Sequence, residues 1–329
     1  MLGSAEQEAA SRVVGSGLLA QGPECEALEE EMGDYLSASH VVVVSSGSAA
    51  LHLALAALRT EPDHGVGLPS YVCTALLNAV KQVDASPVLT DLTQNGYNIH
   101  PADVPEDVST TIVPHMFGCA ADIGQFKGDI IEDCAMAIGA SSGSRKLGTL
   151  GRLGVFSFYA TKVLCAGEGG AVCTDDPDLA EAVRDLRDYD GRSDARIRYN
   201  YKMTDIQAAI ARIQLSQLDQ FVSIRRELAA RYNAAFSNTS SILPDFKAED
   251  IPFRYVVRRT GSSANDLITS FEADGIAARR PVFKPLHTYL NQRLPNTERT
   301  HSEAVSIPLY PALTEENVKK ILEVGRQKL

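Results

Sequence analysis

The sequence predicts an α/β protein whose main domain is built on a largely parallel sheet. The chain has 329 residues of which 44% are hydrophobic, enough to bury a substantial core and to divide into two domains. Short apolar runs alternate with segments of helical spacing, which is the pattern of β–α–β units. Ligands of such sheets gather at the carboxyl ends of the strands, so functional residues are expected there.

The first unit is "VVVVSSGSAALHLALAAL", in which a β-branched strand at Val41–Val44 passes through Ser and Gly into a helix rich in Ala and Leu. The later units are predicted from these segments: "GVGLPS" before the helix "CTALLNAVKQV", then "SPVLTDL", "STTIVPHMFG" and "GDIIEDCAMAIGA". The runs do not alternate strictly between apolar and polar residues, which is typical of strands that are covered on both faces of the sheet.

A second, smaller α/β domain is predicted towards the carboxyl end. From Thr204, "TDIQAAIARIQLSQLDQFVSIRRELAARYNAAF" predicts one long helix, with Thr204 and Asp205 as candidate caps. Beyond it, "IPFRYVVRRT" predicts a strand, "SANDLITSFEADGI" a helix, and "TEENVKKILEVGRQ" a terminal helix capped at Thr314. We place the large domain at residues 1–222 and the small domain at 223–329.

Charge and composition exclude several classes of partner. With 31 basic and 42 acidic residues the net charge is −11, and no basic stripe is present to neutralise a nucleic acid or an anionic membrane. The start lacks an apolar signal core, and no run approaches the ~20 apolar residues of a spanning helix, so a cytoplasmic protein is expected. The six cysteines form no CxxC or Cys/His spacing, which predicts reduced thiols and no metal site.

A candidate phosphate site lies where the first strand passes into its helix. The N–H groups from Gly47 to Ala49 and the Ser48 hydroxyl are able to face an anion there, helped by the helix dipole. Taken alone, the same pattern is more typical of a plain serine-capped helix.

Two adjacent acids, Glu132 and Asp133, end the strand in "DIIEDCA". Because side chains alternate along a strand, at most one of them faces the ligand side, where a carboxylate suits a cationic nitrogen. The alternative is a helix cap for the following segment.

A single lysine, Lys162, stands in "GVFSFYATKVLCAGEGGAV" between apolar residues and glycines. Enclosed by Phe156, Phe158 and Val163, its amine is expected to have a lowered pKa and to form a Schiff base with an aldehyde. The glycines let the backbone approach closely at Gly167, Gly169 and Gly170. A lysine that extends to the surface is the commoner alternative for an isolated residue. Together with the phosphate cradle and the carboxylate, however, Lys162 completes the contacts that pyridoxal 5′-phosphate (PLP) requires.

The sequence resembles the DegT/StrS family of PLP-dependent sugar aminotransferases over nearly its whole length. The resemblance rests on these motifs in order: "GSGLLAQGPECEALEEEMGDYL", "SSGSAALHLAL", "LPSYVCTALLNAV", "PVLTDL", "PHMFGCAADI", "EDCAMAIGA", "GVFSFYATKVLCAGEGG", "YNYKMTDIQAAIARIQLSQLD" and "SIPLYPALTEENV". It implies a fold-type I transferase: a mostly parallel seven-stranded sheet flanked by helices, plus a small C-terminal α/β domain.

The resemblance also implies roles for individual residues. Lys162 is implied to bind the cofactor aldehyde and to shuttle the substrate proton, and Asp133 to pair with the pyridine nitrogen. Tyr71 matches the aromatic residue that stacks on the ring, although a core tyrosine is the alternative. The phosphate is implied to be held by Gly47, Ser48, Ala49 and Ser157. Asn200 matches a residue that reaches the phosphate from the neighbouring subunit, which implies a homodimer with shared active sites.

Three departures from the family pattern stand out. Met136 replaces the usual glutamine or histidine beside the cofactor's phenolic oxygen, and a thioether cannot donate a hydrogen bond. Lys202 replaces an arginine and loses bidentate geometry. The stretch "ADIGQFKGDIIED" is short, which predicts that one peripheral helix is reduced to a turn.

The segment "ARRPVFKPLHTYL" aligns with the family's substrate-proximal region. Its cationic side chains are candidates to meet the diphosphate of a nucleotide sugar: Arg279, Arg280, Lys284 and His287. Solvated side chains in a proline-rich loop are the alternative.

The implied activity is transfer of an amino group, with L-glutamate as the expected donor, to a keto-sugar of a nucleotide-diphosphate sugar. An aminotransferase acting on a keto-cyclitol stays open. Related sugar dehydratases carry histidine in place of the lysine, so Lys162 argues against that activity. Met136 motivates a third alternative, a non-catalytic PLP-binding regulatory protein.

Overall fold

The central feature of the computed structural model, which describes residues 2–60 and 65–329, is a seven-stranded sheet with a small hairpin beside it. In chain order the strands are β1 His40–Val44, β2 Gly65–Pro69, β3 Ser86–Thr90, β4 Thr110–Pro114, β5 Asp129–Asp133, the hairpin strands β6 Ser141–Ser142 and β7 Arg145–Lys146, β8 Leu153–Ser157 and β9 Gly170–Thr174. The sheet order is β1-β9-β8-β5-β4-β2-β3. Only β9 runs antiparallel to its neighbours, so the predicted mostly parallel sheet is confirmed.

Helices cover both faces of this sheet. They are α2 Pro23–Leu36, α3 Gly47–Ala57, α4 Thr74–Gln82, α5 Pro177–Arg187 and α6 Asp205–Ser216, whereas α1 Ser4–Ser16 packs on α6. The valines of strand β1 are buried on both faces of the sheet, which explains why its sequence is apolar throughout. Val42 and Val44 pack into the core cluster that contains α3 and α4, whereas Val41 and Val43 pack into the cluster that contains α2 and α6.

The connection from β4 to β5 is short, as its sequence predicts. Residues 115–128, which all lie in the described part of the chain, form single-turn 3-10 helices at Met116–Gly118 and Ile123–Gln125 and no α-helix. Gly118 has a φ of +89°, and a Cβ there would lie 1.7 Å from the Ile251 carbonyl oxygen, so only glycine fits. This turn therefore brings the carboxy-terminal half of the chain against the sheet.

The carboxy-terminal part has its own core. Its elements are α7 Leu218–Phe236, β10 Tyr255–Arg258, α8 Ala264–Ala273, α9 Pro295–Glu303, β11 Ala304–Ile307 and α10 Glu315–Lys328. Strands β10 and β11 pair antiparallel. The predicted boundary at 222/223 lies within α7. Val222 packs with the core beneath the sheet and Leu228 packs with the carboxy-terminal core, so the two cores meet along this helix. The division into two domains stays a prediction.

The long helix predicted from Thr204 is instead two helices, α6 and α7, which meet at Gln217. Thr204 caps α6 as expected: its Oγ1 accepts from Gln207 N at 3.4 Å, and the Gln207 side chain returns a bond to the Thr204 backbone. Asp205 has a different role. Its carboxylate accepts from the backbone N–H groups of Gly22 (2.8 Å) and Cys25 (3.1 Å), so it caps α2 rather than α6.

Loss of this cap is predicted to destabilise the fold. We expect Asp205→Ala to lower the free energy of unfolding by about 1–2 kcal/mol, because the first N–H groups of α2 lose a buried acceptor. The measurement is urea unfolding followed by circular dichroism. Asp266→Ala, at a carboxylate of α8 without an ion pair among the described residues, is the matched control. Equal midpoints for the two variants would contradict the capping role.

Candidate active site

A cavity of about 290 Å³ lies at the carboxyl ends of β1, β5 and β8. Its lining combines the predicted phosphate turn, the predicted carboxylate and the predicted lysine, which are Ser46, Gly47, Ser48, Asp133, Ser157 and Lys162. Parallel strands end at the same edge of a sheet, which is why residues more than a hundred positions apart meet here. The cavity is therefore the candidate active site.

Lys162 lies in the turn after β8, where its N–H donates to the Tyr159 carbonyl at 2.8 Å. The side chain is half-buried and lines the cavity, so the surface alternative does not describe it. Its Nζ is 5.6 Å from the ring centroid of Phe253 and forms no ion pair with a described residue. Burial lowers the pKa of Lys162, and the nearby Asp133 opposes that shift only in part. A lowered pKa increases the neutral, nucleophilic fraction of the amine.

The acid pair at the end of β5 divides between the two faces of the strand, as predicted. Asp133 faces the cavity, and its Oδ1 accepts from Ala135 N at 3.0 Å. Its Oδ2 has no donor among the described residues. Residues 134–138 form turns rather than a helix, so Asp133 is not a helix cap. Burial raises the pKa of Asp133, while the Ala135 N–H and Lys162 oppose the rise.

Glu132 points to the opposite face and has a structural role. Its completely buried carboxylate accepts from His115 Nε2 (3.0 Å) and from the N–H groups of Gly148 (2.9 Å), Leu150 (2.6 Å) and Gly151 (2.7 Å). Burial alone would raise the pKa of Glu132, but these donors outweigh it and lower the pKa. The carboxylate thereby fixes the loop that leads into β8.

The turn between β1 and α3 combines a helix cap with an open anion site. Ser46 Oγ accepts from Ala49 N at 3.1 Å, so that N–H already has a partner and Ala49 does not line the cavity. The N–H groups of Gly47 and Ser48 have no acceptor among the described residues, and both residues line the cavity. A Cβ on Gly47 would lie 2.7 Å from the Cβ of Ser157, so only glycine permits this approach. The helix-cap alternative is therefore confirmed, and because the turn still presents two N–H groups, the phosphate site stays a prediction.

Three other predicted site residues do not line the cavity. Tyr71 is completely buried, with ring contacts to Tyr97 and Phe117, which agrees with the core alternative, and its stacking on the cofactor ring stays a prediction. Met136 packs against the two core clusters that flank the sheet. Asn200 is exposed on a segment whose backbone bridges to Asp188. The cofactor roles of these residues are without support from the geometry of the single chain.

The four cationic candidates near the carboxyl end are mostly engaged elsewhere. Arg279 pairs with Glu272, and Arg280 donates to Asn265 and to a backbone carbonyl. His287 is buried, with its Nδ1 2.8 Å from Ser70 Oγ. Lys284 lies over the ring of Tyr289 at 4.2 Å, without an ion pair among the described residues. Lys202, the substitute for arginine, pairs with Asp188 and Asp190. These contacts favour the structural alternative for Arg279, Arg280 and His287.

The structure adds cavity residues that the sequence did not single out. Cys73, Glu168 and Tyr159 line the cavity, and Phe253 contacts Lys162 from the carboxy-terminal part. Tyr159 and Glu168 had a readable signal, because both lie in the segment "GVFSFYATKVLCAGEGGAV" that carries Lys162. Phe253 had none, since its contact depends on how the distant segment packs.

One cluster of possible metal ligands exists among the described residues: His115, Glu132 and Cys134. It is buried, and hydrogen bonds already engage His115 and Glu132. His115 Nδ1 accepts from Ala121 N at 3.0 Å while its Nε2 lies 3.0 Å from Glu132 Oε2. These two residues therefore belong to a hydrogen-bond network that stabilises the fold. In the described ranges, no helix combines the length and hydropathy of a bilayer span.

Fold and site together define an α/β enzyme with a lysine and a carboxylate at the strand ends. The sequence model of the DegT/DnrJ/EryC1/StrS aminotransferase family matches residues 1–324. The chain therefore belongs to this family, which confirms the predicted fold class, the aminotransferase activity and, at the level of the family, the PLP cofactor.

Individual relatives agree over almost the full length. The chain is 30% identical to the spore coat polysaccharide biosynthesis protein SpsC of Bacillus subtilis, covering 99% of this chain and 95% of that protein. It is 32% identical to the dTDP-3-amino-3,4,6-trideoxy-alpha-D-glucose transaminase of Streptomyces venezuelae, covering 98% and 92%. Among solved structures, the aminotransferase TlmJ of Streptoalloteichus hindustanus superposes with a TM-score of 0.94 at 28% identity, covering 100% of this chain and 96% of that one.

The contact between Gly47 and Ser157 yields a test of the anion site. We expect Gly47→Ala to weaken PLP binding by about tenfold or more, because the added methyl group displaces Ser157 or the first turn of α3. The measurement is the dissociation constant of PLP from fluorescence quenching. Gly15→Ala is the control, since no atom lies within 4 Å of a Cβ there. Unchanged affinity in Gly47→Ala would contradict phosphate binding at this turn.

Proposed function

We propose that this protein is a PLP-dependent aminotransferase that moves an amino group from an amino-acid donor, L-glutamate, to a keto-sugar of a nucleotide-diphosphate sugar. The observation that carries the proposal is the meeting of Lys162, Asp133 and the open turn at Gly47 and Ser48 in one cavity. The sugar substrate is supported by the relative from Streptomyces venezuelae, whose name specifies a dTDP-linked amino sugar. We place the enzyme in the cytoplasm.

The residues of the cavity fit PLP on three counts. The N–H groups of Gly47 and Ser48 are unpaired among the described residues and lie at the N-terminus of an eleven-residue helix, which suits a phosphate. Ser157 adds a hydroxyl beside them. Asp133 keeps one carboxylate oxygen for a cationic ring nitrogen, and Lys162 supplies an amine of lowered pKa.

Each of these residues has a defined task. PLP, when bound, supplies an electron-accepting ring that stabilises negative charge on the substrate carbon. Lys162 holds the aldehyde end and moves the proton at the reacting carbon with its Nζ. Asp133 orients the ring and keeps a proton on its nitrogen, because a carboxylate in this buried place favours a cationic partner. Phe253 places its ring centroid 5.6 Å from the amine and adds to the burial that lowers the pKa of Lys162.

The alternatives are weaker on the same residues. A sugar dehydratase of this architecture would carry histidine in place of Lys162. A regulatory protein without catalysis has no physical need for an amine of lowered pKa beside a carboxylate, and Met136, which motivated that idea, lies outside the cavity lining. A keto-cyclitol in place of the nucleotide sugar requires the same residues, so the acceptor must be tested directly.

The assignment of Lys162 is tested by covalent trapping. After incubation with PLP and reduction with borohydride, we expect the peptide that contains Lys162 to carry the cofactor mass in the wild type and Lys162→Ala to carry none. Lys127→Ala, at an exposed lysine, should label like the wild type. Because burial lowers the pKa of Lys162, labelling should reach its plateau at lower pH than for a solvent-exposed lysine.

Addition of L-glutamate then tests the activity. We expect it to discharge the visible absorbance band of the lysine-bound cofactor in the wild type. Labelling of another lysine in Lys162→Ala would refute the assignment, and a wild-type band that L-glutamate leaves unchanged would refute the proposed donor.

We also propose a homodimer with shared active sites. Asn200 is exposed and does not line the cavity of its own chain, and exposed apolar side chains lie on the same segment or at the cavity rim: Tyr159, Tyr189 and Ile197, which are 46%, 54% and 76% exposed. Such side chains favour an interface. The segment would then bring Asn200 to the cavity of the partner.

Mixing inactive variants tests this sharing. If Lys162→Ala and Asn200→Ala are each inactive, a mixed dimer contains one site with both native residues. Denaturing and refolding the two together should then restore up to about a quarter of wild-type activity, since half of randomly formed dimers are mixed. In the control mixture Asp133→Ala replaces Asn200→Ala: Asp133 and Lys162 line the cavity of the same chain, so each site of a mixed dimer lacks one of them and no activity should return. Absence of recovery in a mixture shown to contain mixed dimers would refute the shared site.

A further inference from the structure

Arg254, which immediately precedes β10, is an arginine without an acceptor. Within residues 2–60 and 65–329 its guanidinium makes no hydrogen bond and no ion pair, and its Nε is inaccessible to solvent. Two other arginines have a buried, unpaired Nε, but both donate through other nitrogens. Arg187 bonds Glu29 and Val43, and Arg225 bonds three backbone carbonyls.

An unpaired guanidinium in such a place is energetically unfavourable. Removing a charged group from water without supplying an acceptor costs free energy, and such groups are found where a ligand supplies the missing partner. Burial lowers the pKa of Arg254, which reflects this cost. A planar guanidinium pairs best with a carboxylate or a phosphate, through two parallel hydrogen bonds.

Arg254 lies close to the reacting amine. Its Cζ is 5.6 Å from the ring centroid of Phe253, and Lys162 Nζ is 5.6 Å from the same centroid. The two cations are therefore no farther apart than twice that distance, so both can act on one bound molecule of the size of a nucleotide-linked sugar, or on a smaller one if the true separation is shorter than this bound. The charge of Arg254 also acts on Lys162 and lowers its pKa further.

The surroundings of Arg254 offer space for a ligand. It lines a second cavity, of about 460 Å³, that lies between the sheet and the carboxy-terminal part and shares no lining residue with the cavity of Lys162. Asn95, Tyr97, Phe117 and Phe246 are among its walls. The only carboxylate in that lining belongs to Asp245, which is exposed and forms no ion pair with Arg254. The buried Tyr71 hydroxyl also has no hydrogen-bond partner among the described residues.

We propose that Arg254 binds the oxyanion of a substrate that reacts at Lys162, and so acts as a specificity-determining residue of the site. The guanidinium would bind a carboxylate or phosphate group of the substrate, while the amine or ketone of the same molecule faces Lys162. This inference rests on the proposed aminotransferase function. Two molecules carry such a group: the amino-acid donor and the nucleotide-diphosphate sugar.

The experiment compares Arg254→Gln and Arg254→Lys with the wild type, all loaded with PLP. For each protein, KM and kcat are measured with L-glutamate and with a dTDP-linked 3-keto-sugar. Binding of two unreactive probes, glutarate and inorganic diphosphate, is measured by calorimetry. Arg326→Gln, at an exposed arginine of α10, is the matched control. PLP absorbance confirms that each variant is folded and loaded.

We expect Arg254→Gln to raise one KM by about tenfold or more while kcat stays within about threefold, because a charge-assisted pair is lost and the reacting groups remain. Arg254→Lys should recover part of the lost affinity, since lysine keeps the positive charge but not the planar pair of N–H donors. A raised KM for L-glutamate with weaker glutarate binding assigns the carboxylate. A raised KM for the sugar with weaker diphosphate binding assigns the phosphate.

The proposal is overturned if both KM values and both probe affinities of Arg254→Gln match those of Arg326→Gln. It is equally overturned if kcat falls while every affinity is unchanged. Failure of the proposed function is a separate result, because then the wild type itself would not show the lysine-bound band or its discharge by L-glutamate.

Discussion

The site depends on the two carboxylates that end β5. Because consecutive side chains on a strand point to opposite faces, Asp133 faces the cavity only if Glu132 faces the other way. Glu132 is held there by His115 and by the N–H groups of Gly148, Leu150 and Gly151. The same bonds fix the loop that enters β8, whose end carries Ser157 and then Lys162. One buried carboxylate therefore positions the acid, the hydroxyl and the amine of the site.

A second constraint joins the carboxy-terminal part to the sheet. The ring of Phe253 has three cations within 6 Å of its centroid: Lys162, Arg225 and Arg254. Arg225 is buried and donates to the carbonyls of Pro252, Phe253 and Leu309, which holds this segment in place. The ring is thus fixed from the carboxy-terminal side while it covers the amine on the sheet side. A movement of this part relative to the sheet would change the surroundings of Lys162.

The sequence by itself determined much of the site. Short apolar runs that alternate with helical spacing placed the strands, and the motif order singled out Asp133, Ser157, Lys162 and the turn at Gly47, because each lies at or shortly after the end of a strand. The residue types and their neighbours in sequence were enough to select these residues as candidates. They were also enough for the cap at Thr204, since a capping box is a contact within one turn of helix. Residues whose roles depend on their immediate neighbours in sequence were therefore predictable.

Only the tertiary structure decided the rest. The pattern from Thr204 predicts one helix, yet the helix is interrupted at Gln217. Asp205 caps α2 and not its own helix, and the sequence did not indicate this because a cap supplied by a distant residue leaves no periodic signal. Tyr71 is buried in the core, and Arg254 and Lys162, which are far apart in sequence, both lie 5.6 Å from the ring centroid of Phe253. Such contacts depend on how separate elements pack, which is a property of the assembled core and not of any local run of residues.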